Sequence, residues 1–135
     1  MELEGIVSIV QNHYPRVEGI YLFGTFGTAM ERSDSDLDLA LLLSPEEARS
    51  ENGLAFSSCR DDLEARTGRS VDLINLREAN TVFQNEIITE GRLIYLADEA
   101  KTDAFEMKVM SAYQKLNEER SGILKEIDAT GRVLQ

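Results

Sequence analysis

The fold turns on "LFGTFGTAMERSDSDLDLALLL", residues 22–43. Its second half, Leu37 to Leu43, is apolar enough for a strand buried on both faces, as in a sheet covered by helices. Yet that run is headed by two carboxylates one residue apart, Asp36 and Asp38. Alternate residues of a strand share a face, so the two project together, about 6.6 Å apart along the backbone. Two anions that close repel unless a cation lies between them. Hard carboxylate oxygens suit Mg²⁺, which takes one or two of them together with substrate phosphates. Asp72 holds a like place near the start of a further short strand, "SVDLINL" (Ser70 to Leu76). Three carboxylates on adjacent strands suit one or two Mg²⁺ ions in an in-line phosphoryl displacement.

The first half of the stretch supplies what such a site needs opposite the metal. "GIYLF" (Gly19 to Phe23) is rich in strand formers and ends in the small residues "GTFGTA". This segment follows a strand and is expected to open a helix, where backbone N–H groups and the helix dipole favour an anion. Gly24 lets the backbone approach closely, the Thr25 hydroxyl can donate, and Arg32 adds a charge-assisted contact. Taken singly, a DxD is commonly a solvated loop and a GTFG commonly a turn. The ordered set carries the reading: strand, Gly-hydroxyl pair, ten residues, then DxD at the head of a second strand.

The rest of the chain alternates helices and strands. Leu3, Ile6, Val7 and Val10 share one face of a helix over residues 2–12. Ser44, Pro45, Glu46 and Glu47 read as an N-cap, a first-position proline and first-turn acids. That helix is expected to run to about Arg66 and close at Gly68, with a weak place at "SENG" (Ser50 to Gly53). "EANTVFQNEIITEG" predicts a helix ending at Gly91, and "RLIYLA" (Arg92 to Ala97) a fourth strand. From Asp98 to about Thr130 the pattern predicts one long helix, with Phe105, Val109, Ala112, Leu116, Ile123 and Ile127 on its apolar face. Met107, Met110, Tyr113 and Leu124 widen that face, and Gly122 is a weak point. Such a helix can pack on its own core, extend onto a partner, or do both. The class is α/β or α+β with a small mixed sheet.

The 135 residues predict a single domain, with a core over about 1–97 and a helix over about 98–130. The start, "MELEGIVSIVQ", lacks a basic segment followed by an apolar block, and no apolar run approaches the roughly 20 residues of a membrane span. The lone Cys59 excludes an internal disulfide. These features predict a soluble cytoplasmic protein. A net charge of −11 argues against direct nucleic-acid binding, which calls for Lys/Arg clusters, and most of the acid reads as solvated helix surface. His13, the only histidine, stands at a helix end and reads as a surface or capping residue.

The motif Gly24-Thr25, ten residues, Asp36-x-Asp38 resembles the Gly-Ser, spacer, Asp-x-Asp motif of the DNA polymerase β superfamily of nucleotidyltransferases. Within it the chain is most similar to the minimal nucleotidyltransferase family, the MntA-type antitoxins of HEPN–MNT toxin–antitoxin pairs. The resemblance extends to Asp72 in "VDLINL" and to the closing helix "FEMKVMSAYQKLNEER". Two departures are small: threonine replaces the usual serine, and Ala29 stands where a second glycine is common. The resemblance implies a polymerase β-like fold with a long C-terminal helix. It also implies nucleotide binding by Gly24, Thr25 and Arg32, and Mg²⁺ binding and catalysis by Asp36, Asp38 and Asp72. The implied reaction is transfer of AMP from ATP to a tyrosine of a partner HEPN ribonuclease toxin, held with it in a hetero-oligomer and silenced. Two alternatives remain: an antitoxin that neutralises by binding alone, and a nucleotidyltransferase for a small molecule such as an aminoglycoside.

Overall fold

The structure, a computed structural model, describes residues 3–24, 29–32 and 35–130, with side chains excepted at 54, 55 and 124–130. Strands β1 (Gly19–Phe23) and β2 (Leu37–Leu42) pair antiparallel, from Gly19 opposite Leu42 to Phe23 opposite Asp38. The chain then crosses over through α2 (Pro45–Ser50) and α3 (Gly53–Thr67). A crossover of that length is what a parallel partner requires. Accordingly β3 (Val71–Asn75) pairs parallel with β2, and β4 (Arg92–Leu96) joins the other side of β1 antiparallel. The result is the expected mixed sheet, in the order β3-β2-β1-β4.

Both faces of the sheet are covered, which is why β2 is apolar at nearly every position. On one face Ile20, Leu22, Leu37, Leu39 and Leu41 pack against Ile6 and Val10 of α1 (Leu3–His13) and Cys59 and Leu63 of α3. On the other, Tyr21, Ala40 and Leu42 meet Ile87 of α4 (Thr81–Glu90) and Phe105 and Val109 of α5 (Glu99–Thr130). Odd and even residues of β2 thus serve two cores, and the even set begins with Asp38.

Local chemistry sets the boundaries. Ser44 accepts a hydrogen bond from Glu47 N at 3.3 Å, and Pro45 opens α2. The helix expected to reach Arg66 is interrupted at the weak place expected at Ser50 to Gly53, where Glu51 is extended (φ −61°, ψ 131°). The break has a cause: Glu51 Oε1 accepts from Phe56 N at 3.0 Å, capping α3, and from Tyr14 Oη at 3.3 Å. Gly68, at φ +69°, closes α3 as expected. The third strand stops at Asn75 because Leu76–Glu78 turns into a short 3₁₀ helix. His13 pairs with Asp62 of α3 at 2.6 Å, so it links two helices on the surface.

Helix α5 spans 32 residues without a break at Gly122. Thr102, Phe105 and Val109 are buried, and Tyr21 Oη donates to Glu106 from the sheet below. Beyond Val109 the expected apolar stripe is covered in part: Tyr113 and Leu116 are half-buried, whereas Met110 is 50% exposed and Ile123 51%. Leu124 and Ile127 lie outside the described side chains. Among the described residues no helix is long and apolar enough to cross a membrane.

Cys59 is fully buried, and burial first and the Asp62 charge second push its thiol up to about 12. A thiol raised in the folded state favours folding below its ordinary value near 9, and that contribution is lost as pH rises toward 12. Iodoacetamide at pH 8 is therefore expected to leave the native protein unlabelled and to label it in denaturant. Rapid native labelling would mean that the α1–α3 core opens.

Candidate active site

Three strands carry Phe23, Asp38 and Asp72 abreast: Phe23 lies opposite Asp38 across β1–β2, and Asp38 opposite Asp72 across β2–β3. Directly opposed residues share a face, and this is the face covered by α4 and α5. Phe23 meets Phe83 of α4 edge to face, with ring centroids 6.0 Å apart. The carboxylates thus sit at the edge of an aromatic wall, where the sheet emerges from its helical cover. Asp38 is half-buried, while Asp36 and Asp72 are exposed.

The electrostatics match this placement. Burial, then the charge of Asp72, then that of Asp36, then hydrogen bonding to Asp72 hold the Asp38 carboxyl above the usual carboxylate range. Like charges near 4 Å repel by about 1 kcal/mol in water and about 4 at an effective dielectric of 20. A shared proton or a cation removes that penalty. Among the described residues, no three Asp, Glu, His or Cys side chains are already gathered around one point. Asp38 and Asp72 are therefore the joined pair, with Asp36 beside them. The donor set is all carboxylate oxygen, as a hard divalent cation prefers.

Gly24 abuts this pair. Its φ is +77°, and a Cβ there would lie 2.3 Å from Asp38 Oδ2. Glycine is required twice over, by the backbone conformation and by the carboxylate. Thr25 and Gly27 lie outside the described residues. The helix expected after Gly24 is not found among the described residues 29–32. There Arg32 N donates to Ser35 Oγ at 2.7 Å and Ser35 N to Arg32 O at 3.0 Å, closing a turn. The main chain of Arg32 thus shapes the approach to Asp36.

One residue escaped the sequence reading. Arg69, between α3 and β3, donates from Nη1 to Arg32 O and Ser35 O at 3.0 Å each and from Nη2 to Glu31 Oε2 at 2.7 Å. Leu37 N adds a bond to Ser70 O at 2.8 Å. The loop that delivers Asp36 is therefore strapped to the start of β3, which carries Asp72. A lone arginine in a helix–strand connection gives no sequence signal. A second such pair lies at the other end of the sheet: Glu18, 6% exposed, meets Arg77 at 2.5 Å. A charge next to the buried "GIYLF" strand posed the same question as Asp36 and Asp38.

Fold and site together define a nucleotidyltransferase. Residues 4–100 match the family described as "Polymerase beta, Nucleotidyltransferase", and the chain belongs to it. Among named relatives, it is 28% identical to the protein adenylyltransferase MntA of Shewanella oneidensis, over 92% of this chain and 86% of that one. A toxin–antitoxin crystal structure with AMP-PNP superposes with a TM-score of 0.79 at 26% identity, over 94% of this chain and 98% of the other. A complex of a tri-AMPylated Shewanella oneidensis HEPN toxin with its MNT antitoxin superposes at 0.71 and 27% identity, over 92% and 93%.

Gly24→Ala is expected to cost about 1–2 kcal/mol of stability through the left-handed backbone and to lower nucleotidyl transfer at least a hundredfold through its contact with Asp38. Thermal melts and steady-state rates separate the two effects. Arg69→Met is expected to raise the KM for ATP about tenfold, with Arg69→Lys in between, since a lysine keeps the charge but not the two-pronged donor. An unchanged KM in Arg69→Met would show that the loop holds its shape without the strap.

Proposed function

We propose that this chain is a Mg²⁺-dependent protein adenylyltransferase that transfers AMP from ATP to a tyrosine of a partner HEPN ribonuclease toxin and so silences it. The observation that carries the reading is the in-register pairing of Asp38 with Asp72 beside a positive-φ Gly24. Its support is the likeness of most of the chain to an adenylyltransferase and to antitoxins in complex with AMP-PNP or an AMPylated toxin.

In this reading Asp36, Asp38 and Asp72 hold Mg²⁺, which when bound neutralises phosphate charge and polarises the reacting phosphorus. Gly24 and Thr25 give the triphosphate a close backbone approach and a hydroxyl donor, and Arg32 adds a cation. The tyrosine oxygen attacks the α-phosphorus and gives up its proton, with Asp72 either helping to hold a second metal ion or taking that proton as base. The bond from the α-phosphorus to the bridging oxygen breaks, and pyrophosphate leaves. Positioning and charge compensation supply most of the rate enhancement. The whole chain, 1–135, acts as one catalytic domain with α5 as its extension.

The test is to incubate the protein with Mg-ATP and the small protein encoded beside it, and to weigh both intact. One or more AMP units on the neighbour are expected with the wild type and none with Asp36→Asn, which should melt within a few degrees of wild type. A second reading is silencing by occlusion alone, favoured by the uncovered part of the α5 face. It requires that Asp36→Asn still silence the neighbour, and loss of protection would count against it. AMP transfer to a small hydroxylated molecule, with no protein labelled, would overturn both.

A further inference from the structure

A concavity lies well away from the carboxylates. A groove of about 810 Å³ runs between α2 and the first turns of α5, floored by Phe105, Val109 and the Glu18–Arg77 pair. It lies at the far end of β2, where Arg77 Nε donates to Leu43 O at 2.6 Å. Leu43 is five residues beyond Asp38, roughly 17 Å at about 3.3 Å per residue.

Its charge is inverted relative to the rest of the molecule. The chain carries 25 acids against 14 bases, yet Arg49, Arg77, Lys101 and Lys108 line this one groove against two acids, Glu18 and Glu78. Arg77 is spent on Glu18 and lies over the Phe105 ring, 5.4 Å from its centroid. That leaves Arg49, Lys101 and Lys108, all exposed and none in an ion pair with a described residue. Lys101 and Lys108 are two helical turns apart on one flank of α5, with Ala104 between them and Ala112 one turn on. The flank is thus a basic rim over a low alanine wall, about 16 Å long from Lys101 to Ala112.

We propose that this groove docks an acidic, amphipathic segment of the protein partner: about three helical turns, with carboxylates toward Arg49, Lys101 and Lys108 and one apolar flank on the exposed Ala104 and Ala112. A free anion has no use for the alanine wall, and an apolar segment none for the basic rim. An amphipathic helix with an acidic flank uses both. The inference rests on the reading of this chain as one half of a two-protein pair, and it gives that pair a contact separate from the catalytic carboxylates. Held there, the partner is fixed to the same rigid sheet that carries Asp38.

The test compares single charge reversals of equal size in the full chain, with the purified HEPN-type neighbour as the probe. Lys101→Glu and Lys108→Glu are each expected to raise the Kd of the pair at least tenfold and to flatten its salt dependence, with the KM for ATP unchanged. Lys108→Arg should bind as wild type. Arg60→Glu, which changes the net charge equally on exposed α3, should also leave the Kd in place. Wild-type affinity in both lysine variants overturns the docking site, as does an equal loss in Arg60→Glu, which would make overall charge the cause. Weakened self-association with an unchanged partner Kd would reassign the groove to a second copy and overturn the proposal as well. Failure of the wild type to bind or label the neighbour at all would sink the paired reading itself, a different result from any of these.

Discussion

The parallel pairing of β2 with β3 is the constraint on which the site depends. It sets Asp38 level with Asp72 on one face of the sheet, and a slip of one residue would turn Asp72 to the opposite face. The long crossover through α2 and α3 makes the pairing possible. The same crossover delivers Arg69 to the place where its guanidinium reaches back across to the loop before Asp36. The antiparallel pairing of β1 with β2 sets the other boundary, placing Phe23 level with the carboxylates and Gly24 against Asp38. Two ladders of opposite sense thus converge on a single row of residues. Every backbone bond in them stabilises the placement of charges that would otherwise repel.

Much of this was legible in the sequence, and the reason is periodicity. An apolar run such as Leu37 to Leu43, headed by charge, has few physical explanations, and its alternation already sets Asp38 on the face away from Leu37 and Leu39, while Asp36 stands just before β2 on the loop. The caps at Ser44 and Gly68 read directly, because each is a local interaction between near neighbours. What stayed hidden was non-local. The weak place at Ser50 to Gly53 was visible, but not its cause, that the Glu51 carboxylate caps the next helix and receives Tyr14, 37 residues away. Arg69 straps a loop 34 and 37 residues distant. Neither side chain differs in the sequence from any other surface Glu or Arg. The basic groove was invisible for the same reason: Arg49, Arg77 and Lys101 are scattered along a chain whose overall charge points the other way.

The sheet is used from both ends. At the head of β2 stand the carboxylates, and at its tail the Glu18–Arg77 pair and the groove. Between them Leu39 to Leu42 are fully buried. A core packed to the density of an organic crystal deforms little, so the two ends keep a fixed separation. A partner seated at one end meets the other at a set distance, which suits a reaction whose acceptor is presented by a second protein.

Helix α5 follows a different mechanical rule. Thr102, Phe105, Val109 and the Tyr21–Glu106 hydrogen bond grip its first three turns. Tyr113 and Leu116, half-buried beside α4, extend the grip, so the free part is the last 14 residues, about 20 Å, a cantilever clamped at one end. A tilt of a few degrees at the root moves the tip by a couple of ångströms, whereas the sheet beneath stays still. Whatever grasps the tip therefore holds a handle on the clamp, and the clamp includes Phe105, which also supports Arg77. Force applied far out along the helix is carried back through α4 to Phe105 and the tail of β2.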